Sequence, residues 1–390
     1  MTFPIQFSDR VKRLPPYLFV ELDAAKRRAK GQGKDIIDLG VGDPDLPTPA
    51  PIIAALAKAA KDPRNHRYAL DQGLPELRRA IQRWCHDRFG VSLDPDQEIL
   101  PLIGSKEGIA HLPLGLVNPK DAVLVPDPCY PPYRSGTLFA GGEVVSLPLF
   151  EENGFRPDFS TVKRATLKKA KLLFLNYPNN PTGATADPSF FDEAIDISRR
   201  HRIMICHDAA YTEIAFDGFR PTSFLERPGA KAVGIEFHSL SKSYNMTGWR
   251  IGFACGRREM VAALAKVKAN IDSGIFQAVQ LAGIAALRMS RLEIEKRNRI
   301  YEERRDLLVG GLHRLGWRVP KPRASFYVWA RVPVKRSSGD FAKWVLNQTG
   351  IVVTPGVGFG PSGEGYVRMA LTVPKQRIEE ACRRLRKLLG

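Results

Sequence analysis

The chain has 390 residues, of which 44% are hydrophobic and 26% charged, with a formal net charge of +18. This is ordinary globular composition at a length that exceeds one core, so two domains are expected; no run approaches 18 apolar residues, which excludes a membrane-spanning helix. The five cysteines (Cys85, Cys129, Cys206, Cys255 and Cys382) show no CxxC spacing and the N-terminus lacks the apolar core of a signal peptide, so reduced core thiols in a cytoplasmic protein are expected.

In chain order, residues 1–47 hold one helix-like piece and then "DIIDLGVGDPDLPTP", a strand running into a Pro-rich loop. The middle alternates short apolar runs with amphipathic stretches. The runs are "EILPLIG" (98–104), "DAVLVPDP" (121–128), "EVVSLPLF" (143–150), "KLLFLNYP" (171–178), "RIMICHDAAY" (202–211), "KAVGIEFHSLSK" (231–242) and "RIGFACG" (250–256). Runs of this length, rich in Val, Ile, Leu and Phe, suit strands buried on both faces. With helix patterns such as "PSFFDEAIDISRRH" (188–201) between them, they predict an α/β domain with a mostly parallel sheet. From about 285 a long charged helix is predicted, "RLEIEKRNRIYEERRDLLVGGLHRLG" (291–316), then strands in "ASFYVWARV" (324–332) and "GYVRMAL" (365–371) and a C-terminal helix. The expected division is a large domain, 48–284, and a smaller α+β domain built from 1–47 and 285–390. A nucleic-acid partner is conceivable from the basic charge, but the charge reads as a solvated basic surface, because net charge bears on solubility and steering rather than on fold.

Open α/β sheets bind ligands at the carboxyl ends of their strands, so the polar residues that follow the apolar runs are the candidates. In "IGSKEGIA" (103–110), a turn with Ser105 and Lys106 opens a helix; it reads as a phosphate cradle or as a plain N-cap. "NYPNNPTG" (176–183) is turn chemistry, and its asparagine amides also suit ligand reading. In "HDAAYTEIAF" (207–216), Asp208 is an N-cap or the partner of a buried cation, Tyr211 lies three residues on, and His207 reads as a packed side chain rather than a metal ligand. "SLSKSYNMTGWRIG" (239–252) sets Lys242 among serines between two apolar runs, with Gly248 and Arg250 following. A lysine at a dry site has a depressed pKa and forms Schiff bases, and serines with an arginine hold a dianionic phosphate. A Schiff-base lysine, an acidic partner for a ring nitrogen and a phosphate site are together the demands of pyridoxal phosphate.

The chain resembles the class I/II aminotransferases, fold-type I pyridoxal-phosphate enzymes, over nearly its whole length. The likeness rests on eight landmarks in order: "GVGDPD", "HRYALDQGLPELRRAI", "GSKEGI", "DPCYPPY", "NYPNNPTG", "HDAAY", "SLSKSYNMTGWRIG" and "YVRMAL". The resemblance implies a large domain with a mostly parallel seven-stranded sheet. It implies that Lys242 carries the cofactor and moves the Cα proton, that Asp208 pairs with the pyridinium nitrogen, and that Asn180 and Tyr211 bond the phenolic oxygen. Tyr130 would stack on the ring. Ser105, Lys106, Ser239 and Arg250 would hold the phosphate, with Ser241 as an addition. Arg368 would pair with the substrate α-carboxylate, and Gly42 with its loop would close over it. Tyr68 would reach the phosphate across the interface of a homodimer with shared sites.

Within that family the stretch from "HSLSKSYNMTGWRIGFACG" through "NIDSG" is most similar to the bacterial LL-diaminopimelate aminotransferases, with Thr247 favouring them over alanine aminotransferases. The resemblance implies transfer between LL-diaminopimelate and 2-oxoglutarate. It also offers Asn270, Asp272 and Ser273 as acceptors for the distal ammonium, against a reading of "NIDSG" as a helix break only. The alternatives are another amino donor such as alanine, a β-lyase on the same scaffold, and a DNA-binding regulator. The last is disfavoured because 47 residues rich in proline leave no room for a helix-turn-helix segment ahead of the large domain.

Overall fold

The structure, a computed structural model, describes residues 5–15, 18–69 and 72–390; Leu70 and Asp71 of the "HRYALDQG" landmark lie outside them. In chain order the strands are β1 (Ile37–Asp38), β2 (Ile99–Leu102), β3 (Ala122–Asp127), β4 (Glu143–Pro148), β5 (Ala170–Asn176), β6 (Met204–Asp208), β7 (Gly234–Ser239), β8 (Gly252–Gly256), β9 (Tyr327–Arg331), β10 (Ile351–Val352), β11 (Thr354–Pro355) and β12 (Tyr366–Ala370). Each of the seven apolar runs of the middle region contains one strand of a seven-stranded sheet ordered β2-β8-β7-β6-β5-β3-β4. Only β8 runs against its neighbours β2 and β7; the other pairings are parallel. The mostly parallel α/β fold expected from the sequence is the one observed.

The apolar runs are continuous because helices cover both faces of this sheet. Successive side chains alternate between two clusters: Leu173 and Leu175 join Phe190, Phe191 and Phe224 on one face, whereas Leu172 and Phe174 join Leu112 and Tyr133 on the other. Each such fully buried side chain contributes about 1.5–3 kcal/mol. The alternation decides what the polar residues at strand ends meet. On β6, His207 points to the Phe191 face and Asp208 to the Tyr133 face.

The chain ends meet elsewhere. β1 pairs in parallel with β10 (Ile37↔Ile351), and β11, β12 and β9 form a three-stranded antiparallel sheet. Their shared apolar cluster includes Ile37, Leu39, Phe326, Val328 and Met369, and it draws in Tyr211, Ile214 and Phe216 from the segment after β6. Among the described residues before β1 there are two helices, Asp9–Lys12 and Leu18–Gly31, rather than one. The charged helix runs Arg291–Arg314, inside the stretch that predicts it, whereas a separate helix, Gln277–Leu287, occupies the expected boundary at 285. Ser290 separates the two helices: its hydroxyl accepts from the Glu293 N–H while the Glu293 carboxylate accepts from the Ser290 N–H, so a new helix starts there.

Candidate active site

The co-directional strands β2, β3, β5, β6 and β7 end at one edge, so Asp127, Asn176, Asp208, Ser239 and the turn after Leu102 lie along it. Lys242 follows β7 on the short helix Leu240–Ser243, whose first turn is capped by the Ser239 hydroxyl accepting from the Ser241 N–H. The Lys242 ammonium donates to the Gly42 carbonyl at 2.9 Å. Burial, aided by Arg368 and Arg250 and opposed by Asp43 and Asp208, brings its pKa down to about 8. A lysine so placed is neutral and nucleophilic in about a tenth of molecules at pH 7, far more than at its ordinary pKa.

Asp208 is buried and its carboxylate is held at both oxygens. The Tyr133 hydroxyl donates to Oδ2 at 2.7 Å and the Ala210 N–H donates to Oδ1 at 3.3 Å. Burial raises its pKa, against the pull of those donors and of nearby histidines. Its carbonyl accepts from the Asn176 amide at 2.8 Å, so the strand end itself is fixed. Tyr133 was not singled out from the sequence. It lies fully buried on helix Pro132–Phe139, stacked on Phe174 at 4.9 Å, and Tyr130 meets it edge-on at 5.8 Å.

A third group is built around Arg368 on β12. The guanidinium donates to the Asn180 side-chain carbonyl and to the Gly40 carbonyl, each at 2.7 Å, and packs over the rings of Tyr327 and Phe359 at 4.2 and 4.7 Å. Asn180 is itself set by its N–H donating to the Asn176 side-chain carbonyl at 2.7 Å. The Tyr211 hydroxyl meets that of Tyr327 at 3.1 Å, with burial pushing the Tyr211 pKa well up. Tyr327 was also missed by sequence reasoning. It explains Gly42, where an added Cβ would collide with the Tyr327 hydroxyl.

The turn Ile103–Ser105 opens helix Ser105–Leu116, with Gly104 at φ +76°. Gly104 also makes room for Arg250, whose guanidinium a Cβ there would strike; Arg250 donates to the carbonyls of Thr247 at 3.0 Å and Ile103 at 3.4 Å. Ser105 is half-buried, Lys106 and Arg250 are exposed, and Ser239 and Ser241 are buried. Gly252, which pairs with both Leu102 and Ser239, has no space for a Cβ against the Ser105 N–H at 2.8 Å.

Of the remaining candidates, Asp272 and Ser273 reach the turn through Lys268 and Glu107. Tyr68 is 92% exposed. Asn270 is exposed, its amide donating to the Lys266 carbonyl; Asp272 is ion-paired with Lys268; and Ser273 is exposed. His207 is buried, its Nδ1 at 2.8 Å from Glu236, in keeping with a packed role.

A buried carboxylate, a partly neutral lysine and a buried guanidinium at one sheet edge suit chemistry on an amino acid's α-carbon. Comparison with known proteins agrees. A family model for aminotransferase class I and II matches residues 34–385. The chain is 53% identical over 386 residues to the LL-diaminopimelate aminotransferase of Moorella thermoacetica, covering 99% of each chain. It is 55% identical over 381 residues to that of Syntrophobacter fumaroxidans, covering 98% of each. Among solved structures, substrate-bound BacF from Bacillus subtilis superposes with a TM-score of 0.96 at 39% identity, covering 99% of this chain and 98% of that one. With its fold, its strand-end residues and these relatives in agreement, the chain belongs to the class I and II aminotransferases.

Proposed function

We propose that this chain transfers the amino group of LL-diaminopimelate to 2-oxoglutarate, using pyridoxal phosphate held at the sheet edge. The family depends on that cofactor in general. When bound, the cofactor supplies an aldehyde carbon for covalent attachment of amines and a conjugated ring that withdraws electrons from the substrate α-carbon.

The residues present fit such a group. Lys242 offers a partly neutral amine, Asp208 a buried carboxylate for the ring nitrogen, and Asn180 and Tyr211 an amide and a hydroxyl for the phenolic oxygen. Tyr130 flanks the ring position. Ser105, Lys106, Ser239 and Arg250, with Ser241, are the residues assigned to the phosphate at the N-terminus of helix Ser105–Leu116, and the absence of a Cβ at Gly104 lets Arg250 approach that turn. Tyr68 completes this set from a second copy of the chain. In catalysis Lys242 removes and returns the Cα proton, Tyr133 keeps the Asp208 carboxylate oriented, and Arg368 binds the α-carboxylate as a fork.

One observation carries the reading for α-amino acids: Lys242 and Arg368 both donate to the loop Gly40–Gly42, which brings an amine and a carboxylate binder to one small region. The names of the relatives favour LL-diaminopimelate as donor. The same reading takes the protein as a cytoplasmic homodimer with shared sites and without nucleic-acid or membrane partners. It keeps the two-domain division 1–47 with 285–390 against 48–284, with the second junction moved into 288–290 between the two helices.

A donor screen tests the proposal. With the cofactor-loaded chain and 2-oxoglutarate, LL-diaminopimelate should turn over faster than alanine, aspartate or aromatic amino acids. Near-equal rates would remove the donor assignment; failure of every donor to change the visible absorbance of the bound cofactor would remove the transaminase activity itself.

A further inference from the structure

Beside the phosphate turn lies a second buried charge cluster that the reaction as described does not use. Lys268, on helix Arg258–Ile271, has no exposed surface, a rare position for a lysine. An ammonium has three N–H donors, and three acceptors face this one: the Glu107 carboxylate at 3.3–3.4 Å, Asp272 Oδ1 at 2.5 Å and the Ser273 carbonyl at 3.1 Å. His111 Nδ1 lies 3.8 Å from Glu107 Oε1. Asp272 Oδ1 is therefore engaged by a lysine of its own chain.

Glu107 also reaches in the other direction. Its Oε2 accepts from the Ile103 N–H at 2.6 Å, and the Ile103 carbonyl accepts from Arg250. A continuous polar path thus runs from Arg250 through Ile103, Glu107 and Lys268 to Ser273. Removing Lys268 would leave Glu107 and Asp272 as neighbouring, partly buried carboxyl groups without the cation between them, an unfavourable arrangement.

We infer that Lys268 and Glu107 are positioning residues that lock the segment 270–274 to the turn Ile103–Ser105, so that an anion bound at the turn also orders the segment. The inference rests on the phosphate assignment made above. Coupling of this kind is reciprocal: whatever orders 270–274 tightens the anion at the turn by the same factor.

Pyridoxal phosphate and pyridoxal both offer an aldehyde to Lys242, but only the first carries an anion for the turn. Hydrogen exchange of peptides spanning 269–276 is measured in the full chain with each compound. In the wild type, pyridoxal phosphate should slow exchange there and pyridoxal should not. In Lys268→Met the selective protection should vanish, and the dissociation constant for pyridoxal phosphate should rise roughly tenfold; Lys268→Arg should restore part of both. Glu107→Gln, which keeps an acceptor for the Ile103 N–H, is the milder variant and should weaken the protection in the same direction. Equal protection by the two compounds, or undiminished selective protection in both Lys268→Met and Glu107→Gln, overturns the inference. Absence of any cofactor absorbance in the wild type overturns the cofactor reading and this coupling with it, whereas absorbance without selective protection overturns the coupling alone.

Discussion

Arg368 shows how much of the site is prearranged. Its guanidinium is 1% exposed, sandwiched by two aromatic rings and aligned by Asn180 and the Gly40 carbonyl. A planar fork is what a carboxylate needs, and lysine lacks it. Arg368→Lys should therefore raise the KM for every amino donor about ten- to a hundredfold, matching the roughly 1.5–3 kcal/mol of a hydrogen bond to a charged group. The pyridoxal phosphate absorbance should stay unchanged. Loss of cofactor binding in this variant would show that Arg368 acts on the fold instead. At this scale the sequence was readable wherever a residue followed a strand: Asp208, Asn180 and Lys242 stand at the sheet edge as expected. Tyr133 and Tyr327 were not readable. One lies within a short helix and the other within a strand, where a tyrosine looks like core; Tyr133 reaches Asp208 because it stacks on Phe174 of β5, which pairs with β6, and Tyr327 reaches Tyr211 because Ala324 bridges Ala215.

At the level of elements, β6 and β7 carry a buried ionic group on the face opposite Asp208. Glu236 accepts from Ser223, the Phe224 N–H, His207 and His238, at 2.7–2.8 Å. Burial by itself would discharge His238, but the Glu236 carboxylate outweighs it and raises the pKa to about 10. A histidine raised above its ordinary value of 6.5 contributes stability that is complete below that pH and is lost as pH rises through 10. Wild-type melting temperature should thus decline between pH 7 and 10. His238→Leu should cost about 1.5–3 kcal/mol at pH 6 and flatten that decline; an identical pH slope in the variant, measured by thermal unfolding, would assign the decline to other groups. Strand positions were legible because doubly covered strands must be apolar throughout. The charged stretch was legible from Arg291, but the boundary at 285 fell inside helix Gln277–Leu287 because "LRMSRLEIEK" contains no glycine or proline to mark the break, and Ser290 three residues before Glu293 is the helix-start signal there.

For the whole molecule, the pairing of β1 with β10 joins residues more than 300 positions apart, and no local pattern announces such a contact. The ends were expected to meet only because they differ in character from the middle. A second long-range question is assembly. Tyr68 is almost fully exposed, and Ile53, Ile271 and Phe276 are exposed apolar side chains, an arrangement that suits a covered face in a dimer. Light scattering should give twice the chain mass. Mixing Tyr68→Ala with Lys242→Ala, each nearly inactive, should recover roughly a quarter of wild-type activity, because half of the dimers are hybrids and each hybrid has one intact site. No recovery after subunit exchange would place Tyr68 in its own chain's site.

The loop Gly40–Gly42 has one more consequence. Its carbonyls already satisfy two cations, Arg368 at one end and Lys242 at the other. Under the proposed function, a carboxylate that pairs with Arg368 displaces the Gly40 carbonyl, and a Lys242 amine joined to an aldehyde no longer offers an ammonium to the Gly42 carbonyl. The two ends of this short segment are thus released by different partners, one by the substrate carboxylate and the other by the group that Lys242 carries.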